Sequence, residues 1–389
     1  MKKALVFASV ASMIQQFNMN NIRLLQELGY QVDVACNFKF GSSISDEKIR
    51  ELKKTLEELH VGYYHIPVPR KIQDVKGIMK SYRMSLKLMN EQKYDLIHCH
   101  SPIGGIICRM ANRRSSNYQH CKMIYTAHGF HFFKGNHPLK NLIFGTVERL
   151  GAHFTDVLLT INLEDYEAAK KFRLKKQGCI KYVPGIGMDL KSIQEIEPKR
   201  EQLCNELGLS ADTRLIVSVG ELNKNKNHAV VVEALSWLPE NFHYLICGQG
   251  DLREELSVLA DSLQCGDRLH LLNYRRDVIS IVKSCDYFVF PSKREGLSVA
   301  LMEALVCNAT CLASRIRGNT DLIYDRENGF LFDADERAAQ EIYDLIQEIE
   351  RKGVCFDEEV QNKVLDKIDR RNIEKDMREI YTSEGEGKM

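Results

Sequence analysis

Short apolar runs alternate along almost the whole chain with longer stretches of helical period, and this alternation restricts the fold to parallel sheets built from βαβ units. In the first half the runs fall at 4–8, 31–36, 96–99, 123–126 and 157–160, with a further one at 63–66. Helical periods lie between them, as at 19–28 and 75–90. In the second half 215–219, 243–247, 269–271, 287–290 and 310–313 read as strands, and 233–238, 252–263 and 301–306 as helices. The pattern breaks at Val183-Pro184-Gly185-Ile186-Gly187-Met188-Asp189, where a Pro-Gly pair and a second glycine precede a charged connector. Two α/β domains are therefore expected, at 1–187 and 188–365, with 366–389 a charged terminal helix and frayed tail. With 389 residues, 44% of them hydrophobic, the chain can build a core in each.

The string Pro291-Ser292-Lys293-Arg294-Glu295-Gly296-Leu297-Ser298-Val299-Ala300-Leu301-Met302-Glu303-Ala304 carries the most chemical information. Pro291 and Gly296 keep its first half irregular, which places Glu295 in a loop and Glu303 more than a turn inside the following helix. At about 1.5 Å rise per residue the two carboxylates stand roughly 10 Å apart. The amides of Gly296, Leu297 and Ser298 then face the gap at the positive end of the helix dipole, as a phosphate requires. An amphipathic helix with solvated glutamates shares the local pattern but not the whole string.

This string resembles the E-x7-E motif of family 4 retaining glycosyltransferases, GT-B enzymes that move a sugar from a nucleotide-sugar donor. The resemblance extends through Cys307-Asn308-Ala309-Thr310, Arg317-Gly318-Asn319-Thr320-Asp321 and Asn328-Gly329-Phe330-Leu331. Upstream, Val219-Gly220-Glu221-Leu222-Asn223-Lys224-Asn225-Lys226-Asn227 is similar to the family's phosphate loop, and 183–189 to its interdomain hinge. Thr126-Ala127-His128-Gly129-Phe130-His131-Phe132-Phe133-Lys134-Gly135 resembles the branch that builds capsular and extracellular polysaccharides. The resemblance implies two Rossmann-like domains with a central cleft. The N-terminal one takes the acceptor, the C-terminal one the donor, and the last helix crosses back to the N-terminal domain.

By the same resemblance His128, Lys226 and Glu295 are the candidate catalytic residues. Gly220, Lys226, Lys293, Arg294, Glu295, Gly296, Leu297, Ser298 and Glu303 are the candidate donor-binding set. Glu303 would accept ribose hydroxyls and Glu295 hydroxyls of the transferred sugar, since a carboxylate accepts two donors at once. Lys226 would offset charge on the leaving diphosphate, and His128 would meet the donor sugar. Two departures stand out. Glu221 occupies the place where many relatives carry an arginine, and the expected first loop, 9–16, lacks their glycine pair. Lys293, Arg294 or backbone amides would then share the phosphate charge with Lys226.

No metal and no cofactor are expected. His98-Cys99-His100 is discounted as a ligand set because neighbouring strand residues point to opposite faces. Asp333-Ala334-Asp335 reads as an acidic cap before a helix rather than a metal site, and His131 reads as structural. Twelve cysteines without a CxxC pair suit free thiols in a reducing cytoplasm. The run after Met1-Lys2-Lys3 fits a buried first strand as well as a signal peptide, and no stretch approaches the roughly 20 apolar residues of a membrane span.

The net charge of +1 conceals a division: residues 1–185 hold 28 Lys and Arg against 15 Asp and Glu, and the remainder 26 against 38. A basic N-terminal half suits an anionic inner membrane surface or a pyrophosphate-bearing substrate. No nucleic-acid motif accompanies the charge. The segment 130–144, with Phe130, Phe132, Phe133 and Phe144 beside Lys134 and Lys140, fits a membrane interface and equally a loop plus a core helix. The basic helix 75–90 is a similar case. The expectation is a cytoplasmic, membrane-peripheral hexosyl- or N-acetylhexosaminyltransferase. It would move sugar from a UDP-sugar to a lipid-linked saccharide in surface polysaccharide synthesis. A nucleotide-sugar epimerase, a phosphorylase and a non-catalytic GT-B module are the rivals.

Overall fold

The computed structural model describes residues 1–40, 44–133 and 135–383. Lys134 and the tail 384–389, both named above, lie outside the described residues. The chain divides into two compact units, Met1–Ile186 with Arg371–Met389, and Gly187–Arg370.

Unit 1 opens with β1 (Lys2–Val10), α1 (Ala11–Phe17), α2 (Met19–Glu27), β2 (Tyr30–Asn37), α3 (Asp46–Glu58), β3 (Gly62–His65) and α4 (Val75–Gln92). It continues through β4 (Leu96–His100), α5 (Pro102–Arg114), β5 (Lys122–Ala127), α6 (Pro138–Ala152), β6 (Val157–Thr160), α7 (Leu163–Ala169) and β7 (Cys179–Tyr182). The seven strands form one parallel sheet in the order β3-β2-β1-β4-β5-β6-β7. Covered on both faces, its central strands are buried on both sides, with His98 and His100 of β4 the main polar interruption. In β1 Ala4, Val6 and Ala8 enter the core beneath α2 and α3, and Leu5 and Phe7 the core beneath α4 and α5. In place of the expected loop 9–16, residues 9 and 10 end β1 and Ala11 opens α1. With Ala11, Ser12 and Ile14 buried, β1 runs straight into α1, and no glycine turn is needed.

Unit 2 comprises α8 (Leu190–Gln194), α9 (Arg200–Leu207), β8 (Arg214–Val219), α10 (Ala229–Trp237), β9 (Phe242–Cys247), α11 (Arg253–Ser262) and β10 (Leu269–Asn273). Then follow α12 (Val278–Ser284), β11 (Tyr287–Phe290), α13 (Val299–Val306), β12 (Thr310–Ser314), β13 (Phe330–Phe332), α14 (Ala338–Lys352) and α15 (Glu358–Ile368). Its six parallel strands run β10-β9-β8-β11-β12-β13. α10, α11 and α14 cover one face through Val231, Leu235, Leu256 and Ile342. α10 starts four residues before the sequence pattern suggests, because the β-branched run 230–232 is a buried helical face.

Beyond α15, the final helix α16 (Arg370–Thr382) belongs to unit 1, where Ile373, Met377, Ile380 and Tyr381 complete the core beside α2 and α3. Burying each such side chain contributes about 1.5–3 kcal/mol. Where the chain enters and leaves unit 2, Met188 donates to the Ile368 carbonyl at 2.7 Å and Arg370 to the Met188 carbonyl at 2.9 Å. Gly185 and Gly187, at φ +79° and +74°, supply the turns that reach this bridge.

Candidate active site

In unit 2 the sheet places β8 beside β11, and the chain leaves these neighbours in opposite directions, towards β9 and towards β12. The carboxyl ends of such a pair are the usual ligand position of an open α/β sheet. The loops 220–228 and 291–298 both emerge there. Asn223 folds the first by accepting from the amides of Asn225 and Lys226, each at 3.0 Å. Asn225 ties it to the second, donating through its side chain to the Arg294 carbonyl at 2.9 Å and accepting from the Lys293 amide at 2.8 Å.

This clamp brings Lys226 Nζ to 2.8 Å from Glu295 Oε1 and 4.6 Å from the Phe290 ring centre. Their side chains are only 20% and 15% exposed, so the pair is partly desolvated and stronger than a surface ion pair. A lysine has three donors, and one salt bridge leaves capacity for a second anion. Gly220 sits against the lysine stem, 3.1 Å from where a Cβ would be. Gly248, absent from the expected set, approaches closer: its Cβ would stand 1.8 Å from the Gly220 carbonyl oxygen.

Beyond Glu295, the amides of Gly296, Leu297 and Ser298 donate to no acceptor among the described residues. Ser298 caps α13 by accepting from the Leu301 amide at 3.3 Å. Arg317 Nε holds the Glu295 carbonyl at 3.2 Å, and Gly318, at φ +83°, lies where a Cβ would come within 2.3 Å of the Gly296 carbonyl oxygen. Glu303, one turn into α13, is half-buried without a side-chain partner among the described residues, and burial pushes its carboxyl up to about 7. Such a group awaits hydrogen-bond donors. Lys293 and Arg294 are exposed at the rim, and the exposed Glu221 accepts from the Asn223 side chain at 3.0 Å.

His128 belongs to unit 1, just past β5, and is held within a set of imidazoles. His98 and His100 lie two apart on β4 and so share a face, with Cys99 between them turned to the opposite one. Their ring centres are 4.1 Å from each other. His100 Nδ1 is 3.1 Å from His128 Nε2, while His98 bonds Tyr381 Oη at 2.8 Å and Thr126 Oγ1 at 2.7 Å. Burial pushes all three imidazoles down, His98 to about 3 and His128 to about 4. They are neutral at physiological pH and line a pocket with Phe17, Asn20 and Glu374.

Residues 14–177 match the family described as Glycosyltransferase Family 4, and residues 199–363 that described as Glycosyl transferases group 1. Over 343 residues the chain is 31% identical to EpsD of Bacillus subtilis (strain 168), described as a glycosyltransferase, covering 87% of this chain and 85% of the relative. The chain belongs to glycosyltransferase family 4. A second relative of this family 4 enzyme is the Escherichia coli UDP-Gal:alpha-D-GlcNAc-diphosphoundecaprenol alpha-1,3-galactosyltransferase. It is 30% identical over 271 residues, 68% of each chain. Anabaena HepE, solved in complex with UDP, shares the GT-B fold at a TM-score of 0.73 and 18% identity. The match covers 98% of this chain and 100% of HepE.

In this glycosyltransferase the loops 220–228 and 291–298 carry every expected unit 2 residue except Glu303, which lies one turn into α13. The expected set lacks Asn223, Asn225, Phe290, Gly248 and His100. A Gly-x-Gly pair after a strand, at 248–250, and histidines two apart at 98 and 100 were the available signals. Asp333 and Asp335 are bound to Arg337, and Asp335 also accepts from the Arg337 amide at 2.8 Å, which places them at the start of α14. Phe130 is buried and stacks on the partly buried Phe132, so these two rings belong to the core of unit 1.

Proposed function

We propose that the enzyme transfers a sugar, with retention, from a UDP-sugar to a lipid-linked saccharide at an anionic membrane surface. The observation that carries this reading is the Lys226–Glu295 pair set beside free amides and the unpartnered Glu303 at one strand crossover. A diphosphate placed against the amides of Gly296 to Ser298 takes the second donor capacity of Lys226, while ribose hydroxyls donate to Glu303. Glu295, held by Lys226, accepts from hydroxyls of the sugar. The relative that uses UDP-Gal and a diphosphoundecaprenol acceptor supports both substrate classes.

In the reaction we infer, the bond between the anomeric carbon and the diphosphate breaks with its electron pair leaving on phosphate. The acceptor oxygen bonds to the same face, and its proton passes to a leaving phosphate oxygen. Lys226 and the helix amides stabilise the departing charge, and this route assigns no step to a metal. Incubation with labelled UDP-sugars and bacterial lipid extract should give a lipid-soluble product whose yield EDTA leaves unchanged. Absence of thermal stabilisation by any nucleoside diphosphate would defeat the catalytic reading, and a trapped sugar-enzyme adduct would defeat the front-face route.

A further inference from the structure

In unit 1, α6 is packed with its polarity reversed. Its buried side consists of Gly145, Glu148, Gly151 and Ala152. Its outward side carries Leu139, Leu142, Ile143, Val147 and Leu150, exposed by 59%, 62%, 45%, 36% and 58%. At roughly 100° per residue these five form a single stripe about 140° wide. Lys140 and Arg149, both exposed, flank it on opposite sides.

The inward side explains why the stripe cannot turn into the core. Glu148 Oε2 accepts from the fully buried Arg109 of α5 at 3.0 Å, and its other oxygen accepts from Tyr125 Oη at 2.8 Å. Gly151 lies so close to that guanidinium that a Cβ would stand 2.5 Å from Arg109 Cζ. Rotating α6 to bury its leucines would strand a buried charge, which costs several kcal/mol. The apolar face is thus held outward by the fold itself, and contiguous exposed apolar surface of this kind marks an interaction site.

We infer that the outer face of α6 inserts into the interfacial layer of an anionic lipid bilayer. This deepens the functional proposal and rests on its lipid-linked acceptor. Charge selects the bilayer over a second copy of the chain. Residues 1–185 carry 28 basic against 15 acidic side chains, so two such faces would repel while anionic headgroups attract. α5 packs between α4 and α6, and adds exposed Met110 with Arg113 and Arg114 in its last turn. The geometry is that of an interfacial amphipathic helix, its leucines among the acyl chains and its flanking cations at the headgroups.

Sedimentation of the full chain with phosphatidylcholine vesicles, with and without phosphatidylglycerol, tests this. The native protein should sediment with the anionic vesicles, and L142E/L150E should weaken that at least tenfold. The milder L142S should fall between, and K140S/R149S should lose binding mainly at low salt. Both leucines face solvent, so the variants should keep the native melting temperature and its shift on adding UDP. Equal sedimentation of native protein and L142E/L150E, or none by the native protein, would overturn the inference. A native dimer that L142E/L150E dissociates would overturn it in favour of self-association. Failure of UDP to stabilise the native protein would instead sink the UDP-donor reading and leave the membrane result standing.

Discussion

At the scale of single residues, the half-buried Glu303 makes donor affinity a function of pH. Burial holds its carboxyl at about 7, so below that value the group is protonated and loses acceptor capacity. Ribose hydroxyls need the ionised form, so UDP affinity should fall with decreasing pH below about 7, by up to tenfold per unit. Titration calorimetry from pH 5.5 to 8 should show this slope. Glu303→Gln should flatten it and weaken binding at pH 8 by about tenfold, the usual effect of losing a charged acceptor. An unchanged slope in that variant would remove Glu303 from the site. His100 acts through another residue. Its Nε2 is buried without a partner among the described residues, and an orphaned N–H is rarer than an orphaned acceptor. Its proton therefore belongs on Nδ1, donated to His128 Nε2, which leaves His128 with its own N–H on Nδ1. His100→Ala should release that tautomer, visible in the ring-nitrogen NMR shifts of His128, and lower kcat about tenfold with UDP affinity unchanged. His100→Asn, which keeps an N–H donor, should recover part of the loss.

At the scale of elements, the donor loops are spaced by backbone contact rather than by side chains. Because a Cβ at Gly248 would stand 1.8 Å from the Gly220 carbonyl, Gly248→Ala must push the β9–α11 connection off the Lys226 loop. UDP affinity should drop at least tenfold although Gly248 is no ligand, and a calorimetric titration matching the native one would refute this. Such a contact is invisible in one dimension. The string from Glu295 to Glu303 was legible because its parts are consecutive, whereas the Lys226–Glu295 bond spans 69 residues. Strand periodicity gave the central strands correctly, since they are buried on both faces. It passed over β7 and β13, which are four and three residues long at the sheet edges. α6 misleads for a physical reason. Its apolar period is genuine, yet the Arg109–Glu148 pair buries the opposite side. Breaking that pair by Glu148→Ala should cost unit 1 about 3–5 kcal/mol, measured as a fall in its unfolding free energy.

At the scale of the whole molecule, both units lose stability in acid, unit 1 more steeply. His98 and His100 are held well below their ordinary range in unit 1 by burial. The unfolded chain takes up protons at these positions from about pH 6.5 downwards while the folded unit does not. Their stabilisation is therefore complete above pH 6.5 and declines as pH falls towards the folded value near 3 for His98. With His128, pushed down to about 4 beside them, three imidazoles give a slope of about 4 kcal/mol per pH unit. Glu303 in unit 2 has a raised value, so its contribution is present below about pH 4.5 and is lost as pH rises through about 7. His228 and His270 in unit 2 are also pushed down to about 4 by burial, but Glu303 offsets part of the loss there, so acid should destabilise unit 1 more and unfold it first. The single tryptophan, Trp237, lies in unit 2 and cannot report that event. Hydrogen exchange can: between pH 6.5 and 4.5 the amides of β4 and β5 should lose protection while Trp237 fluorescence stays constant. α16 controls the effect, because Tyr381 covers His98 and bonds its Nδ1. Tyr381→Ala admits water to that ring, lets it protonate in the folded state, and should reduce the acid slope by about one proton's worth, roughly 1.4 kcal/mol per pH unit. Loss of protection in both units at the same pH, or an unaltered slope in Tyr381→Ala, would show that the histidine cluster does not set the acid limit.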